Sequence, residues 1–238
     1  MSCFERSPNL YARIGGALYL VIIAAGLFGE LVVRGGAIVS GDAAATAHNI
    51  AASQSLWRIG IAGDILMHVC DVPLMLIFYT LLRPVDRFLA QLALLFTLTQ
   101  SAVLVASKLS QITPLLVLGG APYLDAFDER QLDALAYVAL RSDAYGFGVG
   151  LVFFGFACLA MGYLIVRSGF LPKILGWLMQ LAGGCYLVNS FALILAPPLA
   201  KALFPAILAP AFVGELSLCL WLLIKGVDVA RWHERAVD

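Results

Sequence analysis

The chain has 238 residues, of which 62% are hydrophobic and 13% are charged, and its formal net charge is zero. An ordinary soluble domain carries about 25% charged residues. So apolar a composition excludes a disordered chain, and the balanced charge excludes a basic nucleic-acid-binding surface. The composition therefore predicts an integral membrane protein that contacts the lipid bilayer and has no nucleic-acid partner.

The length of the apolar runs predicts how many times the chain crosses the membrane. A spanning helix needs about 20 mostly apolar residues, because hydrocarbon cannot hydrogen-bond a bare backbone. Six segments meet this condition: 13–33, 58–82, 88–112, 144–166, 173–196 and 203–225. We therefore predict an all-α fold, an integral membrane six-helix bundle that forms a single transmembrane domain over residues 1–238.

Two longer connections are predicted to carry short interfacial helices. In the first, Asp42 precedes an alanine-rich run and has the side chain of a helix N-cap. In the third, acidic residues around Asp128 are followed by Leu132 and Leu135 on one side of a helix. This pattern is typical of an amphipathic helix lying at the membrane surface, here leading into the fourth span.

The distribution of Lys and Arg predicts the orientation of the bundle. Nine of these residues fall in the termini and in the second and fourth connections: Arg6, Arg13, Arg83, Arg87, Arg167, Lys173, Lys225, Arg231 and Arg235. Four fall on the opposite side: Arg34, Arg58, Arg130 and Lys201. Since cytoplasmic loops carry the excess of cations, both termini are expected in the cytoplasm.

The five cysteines are predicted to be small buried apolar residues. They occur singly, without a CxxC pair, so neither a disulfide framework nor a cysteine-based metal site is expected. They are Cys3, Cys70, Cys158, Cys185 and Cys219.

Polar side chains inside the predicted spans are the candidate site. A charged group at the centre of a bilayer costs about 2.5–3.5 kcal/mol on insertion scales, so it must face the bundle interior or a wet cavity. Asp64, His68 and Asp71 stand at i, i+4 and i+7 and share one helix face, and Pro73 is expected to kink that helix. The candidate ligand-binding residues are Glu30, Asp64, His68, Asp71, Gln100, Lys108, Asn189 and Glu215.

Their depths predict one cavity in the outer half of the bundle, with Lys108, Arg141 and Asp143 at its rim. Four of the candidates are carboxylic acids, whereas Lys108 and His68 are the cations among them. Four buried carboxylates cannot all be ionised beside two cations. A protonated acid or a bound cation is therefore expected.

Short segments spread over the chain form a recognisable set: Ala12–Gly16, Leu18–Leu20, Gly41–Thr46, Asn49–Ile50, Cys70–Val72, Leu82–Val85, Arg167–Gly169, Leu171–Pro172 and Gly214–Leu216. In these segments the chain resembles a bacterial multi-span membrane family known as domain of unknown function 4386. The resemblance runs from about Ala12 to Val227 and implies a multi-pass protein of the bacterial cytoplasmic (inner) membrane, with no assigned activity, cofactor or catalytic residue.

Three functions remain open from the sequence. The first is binding or transport of a small cationic or amphipathic ligand in the acidic cavity, coupled to protons. The second is an intramembrane enzyme acting on a lipid or isoprenoid, with Asp71 or Glu215 as general acid and His68 as base. One histidine in the spans supplies too few nitrogen ligands for a zinc site, so no metal is predicted. The third is a structural or accessory membrane protein.

Overall fold

The computed structural model describes residues 7–237, so Cys3 and Arg6 lie outside the described residues. Throughout residues 7–237 the chain is helical apart from short connections, and it forms no strand. Six of its helices are long and apolar enough to cross a membrane. The prediction of an all-α membrane bundle with six spans is confirmed.

The six long helices extend beyond the predicted apolar segments at most of their ends. They are α1 (Pro8–Ala37), α3 (Gln54–Leu82), α4 (Arg87–Val117), α5 (Glu129–Ser168), α6 (Lys173–Leu195) and α8 (Ala209–Ile224). Three short α-helices lie between or after them: α2 (Ala43–Ala52), α7 (Pro197–Leu203) and α9 (Val229–Val237).

Of the two predicted interfacial helices, the first forms as a separate short helix and the second does not. Asp42 does cap α2, and its Oδ1 accepts a hydrogen bond of 2.9 Å from the Ala45 backbone N–H. Asp128 caps the second predicted helix, but that helix does not end before the fourth span. No Gly or Pro interrupts residues 129–145, so the amphipathic segment continues directly into the spanning part of α5.

Two further features depart from regular α-helix. α3 runs through Pro73 from Gln54 to Leu82 as one unbroken helix. In α1, Phe28–Arg34 is wound as a π-helix, which shifts the following side chains around the helix axis and is often found at functional sites. This π-helical segment was not predicted, because its residues carry no distinct sequence signal.

The six long helices form a closed ring. Neighbours around the ring are α1, α3, α4, α5, α6 and α8, and α8 completes it by packing against both α6 and α1. Glycines permit the closest approaches: a Cβ atom at Gly162 of α5 would lie 2.6 Å from the backbone oxygen of Gly176 on α6. The ring leaves space at its centre, which all six helices line.

The described ends of the chain meet at one end of the ring, which we call the terminal end. The Val227 N–H donates to Asn9 Oδ1 over 3.1 Å, and the Trp232 indole N–H donates to the Leu81 carbonyl over 3.0 Å. Trp232 is 1% exposed, so α9 is held firmly beneath the bundle. The opposite end, which carries α2, is the loop end.

The four described cysteines are free. Cys158 and Cys219 are buried as predicted, whereas Cys70 and Cys185 are only partly buried.

Candidate functional site

A buried ion-pair cluster lies toward the loop end. Asp64 Oδ2 is 2.7 Å from Arg34 Nη1 and 2.9 Å from Lys108 Nζ. Asp64 is 1% exposed and Lys108 is 8% exposed, so these charges are withdrawn from solvent. Both cations converge on one carboxylate oxygen, which joins α1, α3 and α4.

The π-helical segment and a glycine position the Arg34 side chain. Arg34 is the last residue of that segment, and its Nε also lies 2.8 Å from Glu30 Oε2, one of the segment's own residues. A Cβ atom at Gly29 would lie 2.7 Å from Asp64 Oδ1. Asp64 therefore occupies space that exists only because residue 29 has no side chain.

The cluster extends to a fourth helix through Asp143 at the start of the predicted fourth span. Gln111 Nε2 donates to Asp143 Oδ2 over 2.8 Å, and Lys108 Nζ lies 4.0 Å from Asp143 Oδ1. We define the ion-pair cluster as Glu30, Arg34, Asp64, Lys108 and Asp143. It ties α1, α3, α4 and α5 together at one level.

A separate cavity of about 140 Å³ lies at the centre of the ring. Its lining reaches Leu82 and Ala90, so it extends toward the terminal end. The lining is mostly apolar and aromatic and includes three methionines. Its polar and aromatic members are Tyr19, Asp71, Phe78, Tyr79, Thr97, Gln100, Phe147, Phe154, Tyr186 and Glu215.

Glu215 is held in the cavity wall by two tyrosines. The Tyr19 hydroxyl donates to Oε2 over 2.9 Å, and the Tyr186 hydroxyl donates to Oε1. Tyr19 belongs to α1 and Tyr186 to α6, the two neighbours of α8 in the ring. Among residues 7–237, no Lys or Arg side chain forms an ion pair with this carboxyl group.

Asp71 is the second carboxyl group in the cavity wall. Its Oδ2 lies 3.1 Å from His68 Nδ1 and accepts a 2.9 Å hydrogen bond from the Ser101 hydroxyl. His68 Nε2 is buried and has no hydrogen-bond partner among the described residues. Because Ser101 bonds to the carboxylate and not to the imidazole, these three residues do not form an activated serine nucleophile.

The structure divides the predicted site residues between these two places and does not bring them to one outer cavity. Asp71, Gln100 and Glu215 line the central cavity, and His68 adjoins it through Asp71. Glu30, Asp64, Lys108 and Asp143 belong to the ion-pair cluster. Asn189 is buried on α6 outside the cavity lining, and Arg141 is exposed.

The residues that complete both groups are absent from the predicted site. Arg34 lies just beyond the predicted first span, but it ends the π-helical segment and supplies a second cation to Asp64. Tyr19 and Tyr186 lie within predicted spans, where a buried tyrosine hydroxyl also requires a partner. Their placement within apolar spans was the signal that could have identified them.

Within residues 7–237, no group of three or more His, Cys, Asp and Glu side chains is placed to hold a metal ion.

The fold and these two polar centres are those of a multi-pass membrane protein in which all six long helices contribute residues to a central pocket. The chain belongs to the family described as Domain of unknown function (DUF4386), whose model matches residues 14–226. It is also similar to an uncharacterized protein of Archaeoglobus fulgidus. The two are 25% identical over 168 residues, which cover 70% of this chain and 83% of the archaeal protein. No solved structure matches the chain.

Proposed function

We propose that the protein binds a small organic cation in its central cavity, with Glu215 and Asp71 supplying the negative charge. One observation carries the proposal: the Glu215 carboxyl group is partly buried in an apolar, aromatic wall, and among the described residues its hydrogen-bond partners are tyrosine hydroxyls. A carboxylate removed from water requires a counter-charge or a proton. A cationic guest would supply that counter-charge.

The distribution of cations in the bundle supports this proposal. Arg34 and Lys108 are both engaged by Asp64 in the ion-pair cluster. Neither cation forms an ion pair with the cavity carboxyl groups, and His68 is the basic side chain that adjoins Asp71. Within residues 7–237, the two cavity carboxyl groups therefore have no Lys or Arg side chain paired with them.

The size and lining of the cavity describe the guest. An apolar cavity of about 150 Å³ accommodates benzene, and the central cavity measures about 140 Å³. Met67, Met75 and Met161 line it, and methionine adapts its shape to irregular guests. The bound molecule would thus be an organic cation with an apolar body of about the size of benzene.

Binding of hexylammonium should test the proposal against Glu215→Gln. Purified protein in an uncharged detergent is expected to gain thermal stability with hexylammonium chloride and not with neutral hexanol, because only the charged head compensates Glu215. A ligand at about 100 times its Kd stabilises the folded state by about 2.7 kcal/mol. Glu215→Gln should abolish most of this gain.

Glu30→Gln is the matched control, since Glu30 is a spanning-helix glutamate whose side chain is 60% exposed and lies outside the cavity. It should respond to hexylammonium like the wild type. Equal responses of the wild type and Glu215→Gln, or equal effects of hexylammonium and hexanol, would show that the cavity does not recognise a primary alkylammonium through Glu215.

The orientation that we propose places the terminal end in the cytoplasm, in a bacterial cytoplasmic membrane. It is supported by the nine Lys and Arg residues of the termini and of the second and fourth connections. Exchange of the bound cation for a proton at His68 and Asp71 would turn binding into proton-coupled transport.

Fusions of reporter proteins after Asp238 test this orientation. We expect a fluorescent protein to be fluorescent and alkaline phosphatase to be inactive, because the phosphatase requires export to become active. The same two reporters inserted after Gly120, in the connection at the loop end, should give the opposite pattern. Active phosphatase at the C-terminus would reverse the proposed orientation.

A further inference from the structure

We infer that the head group of the bound cation is a methylated ammonium, without N–H donors. This inference rests on the proposed function and names the substrate class of the same cavity. It comes from the arrangement of aromatic rings around Glu215 and from the hydrogen-bond acceptors that this part of the cavity offers.

The hydrogen bonds from Tyr19 and Tyr186 to Glu215 also hold the two tyrosine rings in place. Each carboxyl oxygen accepts one hydroxyl, from Tyr19 on one side and from Tyr186 on the other. Both rings line the cavity. One tyrosine ring from α1 and one from α6 therefore flank the carboxyl group. Neither ring can move away without breaking its hydrogen bond.

Two phenylalanines extend the pair to four rings. The ring centroid of Phe78 lies 6.1 Å from that of Tyr19, and the centroid of Phe154 lies 5.4 Å from that of Tyr186. All four rings line the same cavity and come from four different helices. Aromatic rings grouped in this way recognise quaternary ammonium ligands through cation–π attraction.

Each of the two carboxyl oxygens beside these rings already accepts a hydrogen bond. Both Glu215 oxygens accept tyrosine hydroxyls, and Asp71 Oδ2 accepts the Ser101 hydroxyl and adjoins His68. A primary ammonium brings N–H groups that require acceptors when water is removed. A methylated ammonium has no such requirement and spreads its charge over methyl groups that contact ring faces.

Two isomeric cations distinguish these head groups. Tetramethylammonium and butylammonium have the same molecular formula and charge, but only butylammonium has N–H donors. We expect wild-type protein to bind tetramethylammonium at least about tenfold more tightly, measured by calorimetry in an uncharged detergent. Phe154→Leu and Phe78→Leu should each reduce this preference, and Phe96→Leu should preserve it, since Phe96 packs on Phe156 outside the cavity lining.

The outcomes separate the inference from the proposed function. If butylammonium binds as tightly as tetramethylammonium or more tightly, and Glu215→Gln removes that binding, the cavity is a cation site without selectivity for methylated heads and the inference fails alone. If neither cation binds, and hexylammonium has no effect either, the proposed function fails as well. The wild-type comparison decides the inference even where a phenylalanine variant does not fold.

Discussion

Replacing Asp64 by Asn is expected to lower the free energy of unfolding by about 3–5 kcal/mol. Asp64 Oδ2 is the carboxylate oxygen shared by Arg34 and Lys108, at 2.7 and 2.9 Å. With an amide at this position, Lys108 remains buried and its nearest carboxylate is Asp143, 4.0 Å away. Leaving one buried charge without its partner destabilises a protein far more than the intact ion pair stabilises it. Unfolding in mixed micelles of a mild detergent and dodecyl sulfate measures the change.

Two further variants show whether charge is the cause. Glu30→Gln removes a carboxylate whose side chain is 60% exposed, so we expect a change below about 1 kcal/mol. Removing charge from both partners, with Asp64→Asn and Lys108→Met together, should recover part of the loss because no buried lysine is left unpaired. If Asp64→Asn is as stable as the wild type, the ion-pair cluster does not stabilise the bundle.

Replacing Gly176 by Ala is expected to destabilise the contact between α5 and α6. A Cβ atom at this position would lie 2.5 Å from the Gly162 carbonyl oxygen and 2.8 Å from the Val166 backbone nitrogen. Both neighbours are backbone atoms, so the helices must move apart. Insertion of extra volume into a well-packed contact costs about 1–3 kcal/mol. The same unfolding assay measures it.

Gly184→Ala provides the matched control on the same helix. A Cβ atom at Gly184 meets nothing within 4 Å, and alanine has the higher helix propensity by about 1 kcal/mol. Gly184→Ala should therefore be neutral or stabilising, and the difference between the two variants isolates the close approach. Equal stabilities would show that the α5–α6 contact adjusts at no cost.

Helix number and helix type could be predicted because they depend on local properties of the chain. A run of about 20 apolar residues has no stable alternative to a helix in hydrocarbon. The Asp42 cap was predictable for the same reason, since its side chain acts on a backbone group only three residues away. Boundaries were less predictable, as α5 shows: its amphipathic start and its apolar part are one helix.

The sequence identified individual ionisable residues inside the spans, but it did not predict which of them contact each other. Glu215, Asp71 and Asp64 stood out because an ionisable side chain in a span is costly wherever it lies. Their apparent common depth favoured one cavity. The structure instead pairs Asp64 with two cations and leaves Glu215 between two tyrosines. Arg34 was overlooked because the π-helical segment that carries it into the bundle has no sequence signature.

The order of apolar and charged residues along the chain is sufficient to establish a six-span helical bundle whose buried charges must be compensated. Both conclusions follow from the transfer of backbone and charge into hydrocarbon, which depends on the residue and its immediate neighbours alone. Which partner compensates each charge depends on how the helices pack. That choice depends on the rotation and relative height of each helix in the ring. The rotation and the height of each helix are set by close approaches between segments far apart in the sequence, such as the one at Gly162 and Gly176.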